Sequence, residues 1–302
     1  MNNIQFVLNT DNIVYKNIGD YHLADTFECG QAFRFDPYMD GYKGFIEKQL
    51  CHITIRDEKG TAIPSSVGVD NAVMEVRFFH TQPTEDLAVK TAQFLALDTD
   101  YSALKKQFAK NEIMAEAIKF APGIRVLNQD FFETLITFII SQNNNIPRIK
   151  QLCDRISERY GTKVGDTCAF PTAEQMKDIT EQDYKDMKFG FRAKYLADAV
   201  AKVLDGTIDE VTVKSLSYED AQKYLMQVKG VGPKVADCVL LFGADKKEAF
   251  PMDVWMKRAM ATLLPKGLPR YLKPYGGIAQ QFLFDYARAN PDIFDKKAKK
   301  AP

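Results

Sequence analysis

The hydrophobic period of the chain changes near Asp98, and this restricts the fold more than any other feature. Before that point side chains alternate. In residues 51–57 Cys51, Ile53 and Ile55 point one way while His52, Thr54 and Arg56 point the other; in 74–79 Met74, Val76 and Phe78 oppose Glu75, Arg77 and Phe79. Asp40-Gly41 and residues 57–60 supply turns between such runs. An antiparallel sheet with one buried face is the expected product. Beyond Asp98 the spacing is helical: Phe132, Leu135, Ile136 and Ile139 form one stripe with Asn128 available as a cap, and Ile149, Leu152, Cys153 and Ile156 form the next. Further helices are expected over 173–187, 192–204, 218–228, 233–243, 254–263 and 276–289, separated by Gly, Pro and Asn.

The fold class is therefore α+β. An N-terminal antiparallel sheet domain is expected over 1–105 and a mostly helical region over 106–302, with the chain before residue 125 free to pack with either. The closing DKKAKKAP has no apolar period and is expected to fray.

Composition narrows the function by exclusion. Lys plus Arg and Asp plus Glu both number 40, so no global basicity advertises nucleic acid, although a local basic face stays open. Five scattered cysteines form neither a disulfide framework nor a CxxC pattern, which fits a reducing compartment. Three distant histidines make a zinc centre an unusual proposition. The N-terminus is too polar for a signal peptide and the apolar runs are too short to span a bilayer, so an intracellular protein, cytoplasmic or nucleoid-associated and away from membranes, is expected.

Chemistry concentrates at residues 226–238, MQVKGVGPKVADC. A helix from Tyr218 to Val228 would place Ala221, Tyr224, Leu225 and Val228 on its apolar stripe. Gly230 and Gly232 permit unusual backbone angles and close approach, and Pro233 suits the first turn of a second helix. The result is a helix, hairpin and helix over about 218–243. Its exposed amides at Gly230, Val231 and Gly232 could hold a backbone phosphate without reading sequence. Equally, such glycines serve simple packing, and Lys234 could be a solvated charge. Asp253, in FPMDVW, can cap the helix that begins at Val254 and could share a pocket with Lys234.

GVGPKVADC followed by PMDV resembles the helix-hairpin-helix and aspartate signature of base-excision DNA glycosylases, and specifically the 8-oxoguanine DNA glycosylases. Matches run from about residue 27 to 284. CGQAFRF (29–35), SQNNNIPR (141–148), GFRAKY (190–195) and AQQFLF (279–284) are each similar to an element of that family. The resemblance implies a bifunctional glycosylase and AP lyase that excises 8-oxoguanine from double-stranded DNA opposite cytosine. By it, Lys234 is the nucleophile and Asp253 its orienting partner. Gly30 offers a carbonyl to the N7 proton of the lesion, Gln280 meets its Watson–Crick edge, and Phe284 and Cys238 flank its faces. Asn143 fills the vacated space, Phe191 is the wedge, and Arg148 and Arg192 hold the unpaired cytosine.

These residue types suit that chemistry. Extruding a base costs a few kcal/mol, which the wedge and arginines would offset. A carbonyl facing the bare N7 of guanine would impose about 1–3 kcal/mol against the normal base. Lys234 must be neutral to attack although a free lysine has a pKa near 10.4; partial desolvation and its own helix start would favour the neutral amine.

The resemblance also implies that no cofactor is required for catalysis, that a sodium, potassium or calcium ion binds carbonyls of Met226, Val228 and Val231, and that a monomer suffices. No cysteine follows Cys238, so the four-cysteine iron-sulfur cluster of related glycosylases is not expected. Two positions depart from the family pattern: Phe191 stands in place of tyrosine and Trp255 in place of histidine. A glycosylase for alkylated bases could keep the hairpin and Asp253 without needing Lys234, and a noncatalytic DNA-binding module would leave both chemically idle.

Overall fold

A computed structural model describes residues 4–57, 59–64, 67 and 71–293. The first unit is a six-stranded antiparallel sheet in the order β1-β2-β6-β5-β4-β3. Its strands are β1 (Phe6–Leu8), β2 (Asn12–Tyr15), β3 (Phe35–Tyr38), β4 (Gly41–Ile46), β5 (Gln49–Arg56) and β6 (Val73–Phe78), with a short helix α1 (Leu23–Phe27) between β2 and β3. The two alternating runs lie in register, Ile53 opposite Val76 and Ile55 opposite Met74. Their apolar sides are buried as the pattern requires; Thr54, on the other side of β5, is buried as well. Helices α2 (Glu85–Phe94), α3 (Tyr101–Phe108) and α4 (Glu112–Phe120) follow.

The helical unit runs through α5 (Phe131–Ser141), α6 (Ile146–Tyr160), a two-strand ribbon β7 (Lys163–Val164) and β8 (Thr167–Cys168), α7 (Glu181–Asp186), α8 (Ala193–Leu204), α9 (Glu210–Ser215), α10 (Tyr218–Leu225), α11 (Pro233–Gly243), α12 (Val254–Leu263) and α13 (Gly276–Ala289). Its core includes Leu135, Ile139, Leu196, Val239, Leu240 and Phe282, separate from the sheet's core around Ile13, Tyr15, Phe27 and Ile53.

Three local expectations change. Asn128 is not the cap of α5. Asp130 is, accepting from the Glu133 amide at 2.7 Å, while the Asn128 side chain is held by the Gln93 carbonyl and Lys247. The stretch 173–187 is not one helix. A 3-10 turn at Glu174–Met176 precedes α7, which starts afresh because Thr180 and Asp183 form a reciprocal capping box. The helix expected to reach Val228 stops at Leu225, where the hairpin's own turn takes over. The DKKAKKAP segment lies outside the described residues.

Gln31 sews the two units together. Its side chain donates to the carbonyls of Thr26 (2.8 Å) and Arg125 (2.7 Å) and accepts from the Leu127 amide (2.8 Å), and Gln129 donates to its carbonyl (2.8 Å). From the far end of the chain, α13 reaches the same segment: Gln281 donates to the Cys29 carbonyl at 3.4 Å and Arg288 to that of Glu28 at 3.2 Å. Gly30 is thereby fixed against the helical unit.

Candidate active site

The hairpin between α10 and α11 is built from short-range backbone bonds, Val228 N to Leu225 O (3.1 Å) and Val231 N to Val228 O (3.0 Å). Its two glycines do different things. Gly230 has φ +80°, and a Cβ there would stand 2.4 Å from Cδ2 of Tyr195, so both backbone and packing exclude a larger residue. Gly232 is extended, with nothing within 4 Å of its Cβ position. Packing explains the first glycine. The second leaves its backbone open to an approaching group. Val231 is buried between them.

The hairpin is fastened from outside by α8. Asp198 accepts from the Lys229 amide (2.7 Å) and from Lys202 (2.9 Å), and Lys202 also donates to the Gln227 carbonyl. Inside, Asp237 of α11 accepts from Tyr218 (2.9 Å) and Gln222 (2.6 Å) of α10. Burial pushes that carboxyl above its ordinary pKa. The helix carrying Lys234 is thus held on both sides.

Lys234 Nζ lies 5.2 Å from the centre of the Phe138 ring and shares a cavity with Cys238, one turn further along α11. Burial raises the Cys238 thiol pKa while the lysine charge pulls the other way. Asp253 caps α12, accepting from the Met256 amide at 2.7 Å. Lys234, Asp253, Gly30, Cys238, Gln280 and Phe284 all line one cavity of about 50 Å³. Six residues from four separate segments meet there. Gly30 has φ +87°, a conformation that selects glycine. Gln280 is 4% exposed, and its Oε1 is buried with no hydrogen-bond partner among the described residues. A buried acceptor left unpaired costs about 1–3 kcal/mol, so this oxygen is poised for a donor from outside the chain.

The cavity shares Gly30, Phe138, Lys234, Asp253 and Phe284 with a wider cleft of about 860 Å³, which Asn143, Phe191 and Gly232 also line. Asn143 stands just past α5 with φ +49°, and Phe191 is 49% exposed with its edge toward Tyr195. The arginines are placed differently. Arg192 is 8% exposed and spends its guanidinium on backbone carbonyls, those of Gln142 and Asn143 at 2.9 Å and of Phe189 at 3.4 Å. Arg148 donates to the Lys188 carbonyl at 3.3 Å and to Gln151. Neither lines the cleft; Arg192 holds two residues that do, Gln142 and Asn143, and Arg148 does not.

Sequence reasoning passed over Phe138, the ring under the lysine, because its run reads as pure core. It also missed Arg288, whose guanidinium lies 5.5 Å over Phe284, and the Asp198–Lys202 pair. Their (i, i+4) spacing was a visible signal for that pair.

A sheet unit joined to a helical core, with a hairpin-borne lysine and a helix-capping aspartate facing one cavity, defines a helix-hairpin-helix base-excision glycosylase. The HhH-GPD superfamily of base excision DNA repair proteins matches residues 136–266, and the N-terminal domain of 8-oxoguanine DNA glycosylase matches residues 13–135. The N-glycosylase/DNA lyase of Saccharomyces cerevisiae is 33% identical over 268 residues, covering 80% of this chain and 68% of its own. That of Arabidopsis thaliana, N-glycosylase/DNA lyase OGG1, is 32% identical, covering 86% and 72%. The chain belongs to the 8-oxoguanine DNA glycosylase/lyase family. The solved structure of Clostridium acetobutylicum 8-oxoguanine glycosylase/lyase, in complex with double-stranded DNA containing cytosine opposite 8-oxoG, superposes with a TM-score of 0.83 at 32% identity, covering 96% of this chain and all of that one. No helix among the described residues is long and apolar enough to cross a membrane.

Proposed function

We propose that this protein excises 8-oxoguanine from duplex DNA, preferentially opposite cytosine, and then nicks the strand through a Schiff base on Lys234. The observation that carries this reading is the shared cavity of Lys234, Asp253 and the unpaired Gln280 oxygen. A guanine-type Watson–Crick edge presents N–H donors, which is what that buried acceptor lacks. At about 50 Å³ the cavity is too small for a purine, so its lining side chains must move apart on entry.

In the proposed reaction the lone pair of Lys234 Nζ forms a bond to C1′ of the extruded nucleotide. The C1′–N9 bond breaks, its electrons leave with the base, and a proton from the attacking nitrogen becomes available to it. Opening of the C1′–O4′ bond then gives the Schiff base. Loss of a C2′ proton expels the 3′ phosphate by β-elimination. Asp253 orients the amine and stabilises positive charge developing at the sugar. Gly30, Phe284 and Cys238 complete recognition of the base. Asn143 and Phe191 fill the gap in the duplex, and Arg148 and Arg192 act on the orphaned cytosine, Arg192 by giving up its carbonyl contacts or by holding the loop that carries Asn143.

The amides of Gly230 and Gly232 and of the first turn of α11 receive the phosphate; the Val231 amide, expected to share in this, is spent on the Val228 carbonyl at 3.0 Å, and Pro233 has none. A sodium, potassium or calcium ion on the carbonyls of Met226, Val228 and Val231 would steady that turn; a carbonyl has two lone pairs, so the internal bond to Val228 leaves it able to bind. No catalytic step depends on the ion. One hairpin clamps one duplex, so no second copy is needed.

Borohydride trapping on 8-oxoguanine duplex tests the nucleophile directly. Wild type is expected to trap covalently and Lys234→Gln to do neither trapping nor base release; equal trapping by the variant would sink the assignment. A panel of 8-oxoguanine, an alkylated purine, uracil and undamaged guanine tests the substrate, and preferential release of the alkylated base would overturn it. Equal rates opposite all four bases would remove the cytosine preference.

A further inference from the structure

We propose that Trp255 stacks on a nucleobase of the bound strand at the mouth of the cleft, an inference that rests on the DNA-repair reading above. Trp255 is the single tryptophan of the chain. It sits in the first turn of α12, two residues after Asp253, and lines the same cleft as Asp253, Lys234 and Phe191.

The outer side of that turn faces solvent, while Met256 on its inner side is buried. Its neighbour Val254 is 74% exposed, and the indole is only partly buried against the helical core. Large apolar side chains displayed beside a catalytic cavity cost the free protein hydration free energy unless something covers them in use. Positive charge accompanies them: the Arg258 guanidinium lies 5.7 Å over the indole ring and Lys257 also lines the cleft. An aromatic face flanked by cations is the arrangement that receives a base together with its phosphate.

The chemistry of the ring supports stacking over ionic contact. Indole offers a donor-only N–H and a broad π face, and it carries no charge at any ordinary pH. A base has a π face whatever its identity, so such a contact adds affinity without adding sequence preference. Trp255 would therefore steady the strand beside the extruded nucleotide while Gln280 and Gly30 judge the lesion.

Because no other tryptophan contributes, the emission of the intact protein reports on this one ring. Titration with a duplex carrying a tetrahydrofuran abasic analogue opposite cytosine is expected to quench it saturably. A parallel titration of Lys234→Gln with an 8-oxoguanine duplex separates two sources of the stack. Quenching by both duplexes places it on a neighbouring base; quenching by the second alone places it on the extruded base.

Trp255→Ala is expected to weaken binding of the quenching duplex roughly 5- to 150-fold, the range for loss of one base–aromatic stack, and Trp255→Phe to retain most of the affinity. Should the alanine variant fail to fold, wild-type quenching and the phenylalanine variant still decide the matter. Unchanged emission at saturation with both duplexes, or a Trp255→Ala affinity within twofold of wild type, would overturn the proposal. Base release without quenching would remove the stack and leave the glycosylase standing. Quenching without base release from any lesion would do the reverse.

Discussion

The two hairpin glycines should fail in opposite ways when each is given one methyl group. For Gly230→Ala the left-handed backbone costs about 1–2 kcal/mol. A Cβ 2.4 Å from the Tyr195 ring forces repacking at a further 1–3 kcal/mol or so. A loss of about 2–5 kcal/mol in urea unfolding is expected, and Tyr195→Ala in that background should relieve the clash but leave the backbone strain. For Gly232→Ala the backbone is already extended and the new methyl meets nothing within 4 Å. Stability should stay within about 0.5 kcal/mol of wild type. Its deficit should appear in DNA binding, because the methyl would stand where, on the proposed reading, a phosphate approaches the hairpin amides. Loss of one charge-assisted hydrogen bond, about 1.5–3 kcal/mol, raises the Kd for an abasic-analogue duplex roughly 10- to 150-fold. Equal destabilisation by both substitutions would refute the division of labour. So would a Gly232→Ala protein that binds DNA as tightly as wild type.

Three further outcomes follow from contacts away from the hairpin's glycines. Arg192→Ala strands the carbonyls of Gln142 and Asn143, while that of Phe189 keeps its bond from the residue 192 amide, and should lower stability by about 2–4 kcal/mol while hydrogen exchange over residues 141–145 accelerates. Glu133 is held up to about 7 by burial, against the pull of Arg34. The folded state therefore keeps a proton that the unfolded state has lost, so the contribution of this one half-buried group should be full below about pH 4.5 and decline toward pH 7, with a ceiling of roughly 3 kcal/mol, against the opposite trend of Asp20 and Glu75, whose pKa values are lowered. Urea melts across that window should show the decline in the difference between wild type and Glu133→Gln. Asp198→Ala frees the Lys229 amide and should weaken duplex binding more than Asp198→Asn, which keeps an acceptor; the difference, about 0.5–1.5 kcal/mol, is read from the two Kd values.

Much of this architecture is written in short-range patterns. Alternation marks β5 and β6, and Pro233 marks the first turn of α11, because both depend on residues within one strand or one turn. Asn128 and Asp130 show where such reasoning stops. Either can cap a helix, and the choice falls to Asp130 because Gln93 and Lys247, distant in sequence, take the Asn128 side chain. The cavity shows the same division. Lys234, Asp253, Gly30 and Gln280 are legible as motif residues, but the burial of Arg192 against Gln142 and Asn143 depends on a fold that brings α8 beneath the end of α5. Phe138 carries no signal of its own, since a phenylalanine in an apolar helix is core until a lysine is found above it.

Gln281 and Arg288, both on the last described helix, hold the carbonyls beside Gly30 across 252 and 260 residues of chain. This gives the protein an order of assembly. The sheet unit has its own core and can form early in synthesis, and the hairpin with Lys234 can follow, yet neither makes a lesion pocket. Gln280 and Phe284 arrive only with α13, beyond residue 266 where the recognised HhH-GPD region ends. On the proposed roles, a nascent chain would carry the amine of Lys234 before it carries Gln280 and Phe284. Discrimination among bases would then be acquired when the last helix docks on the first domain.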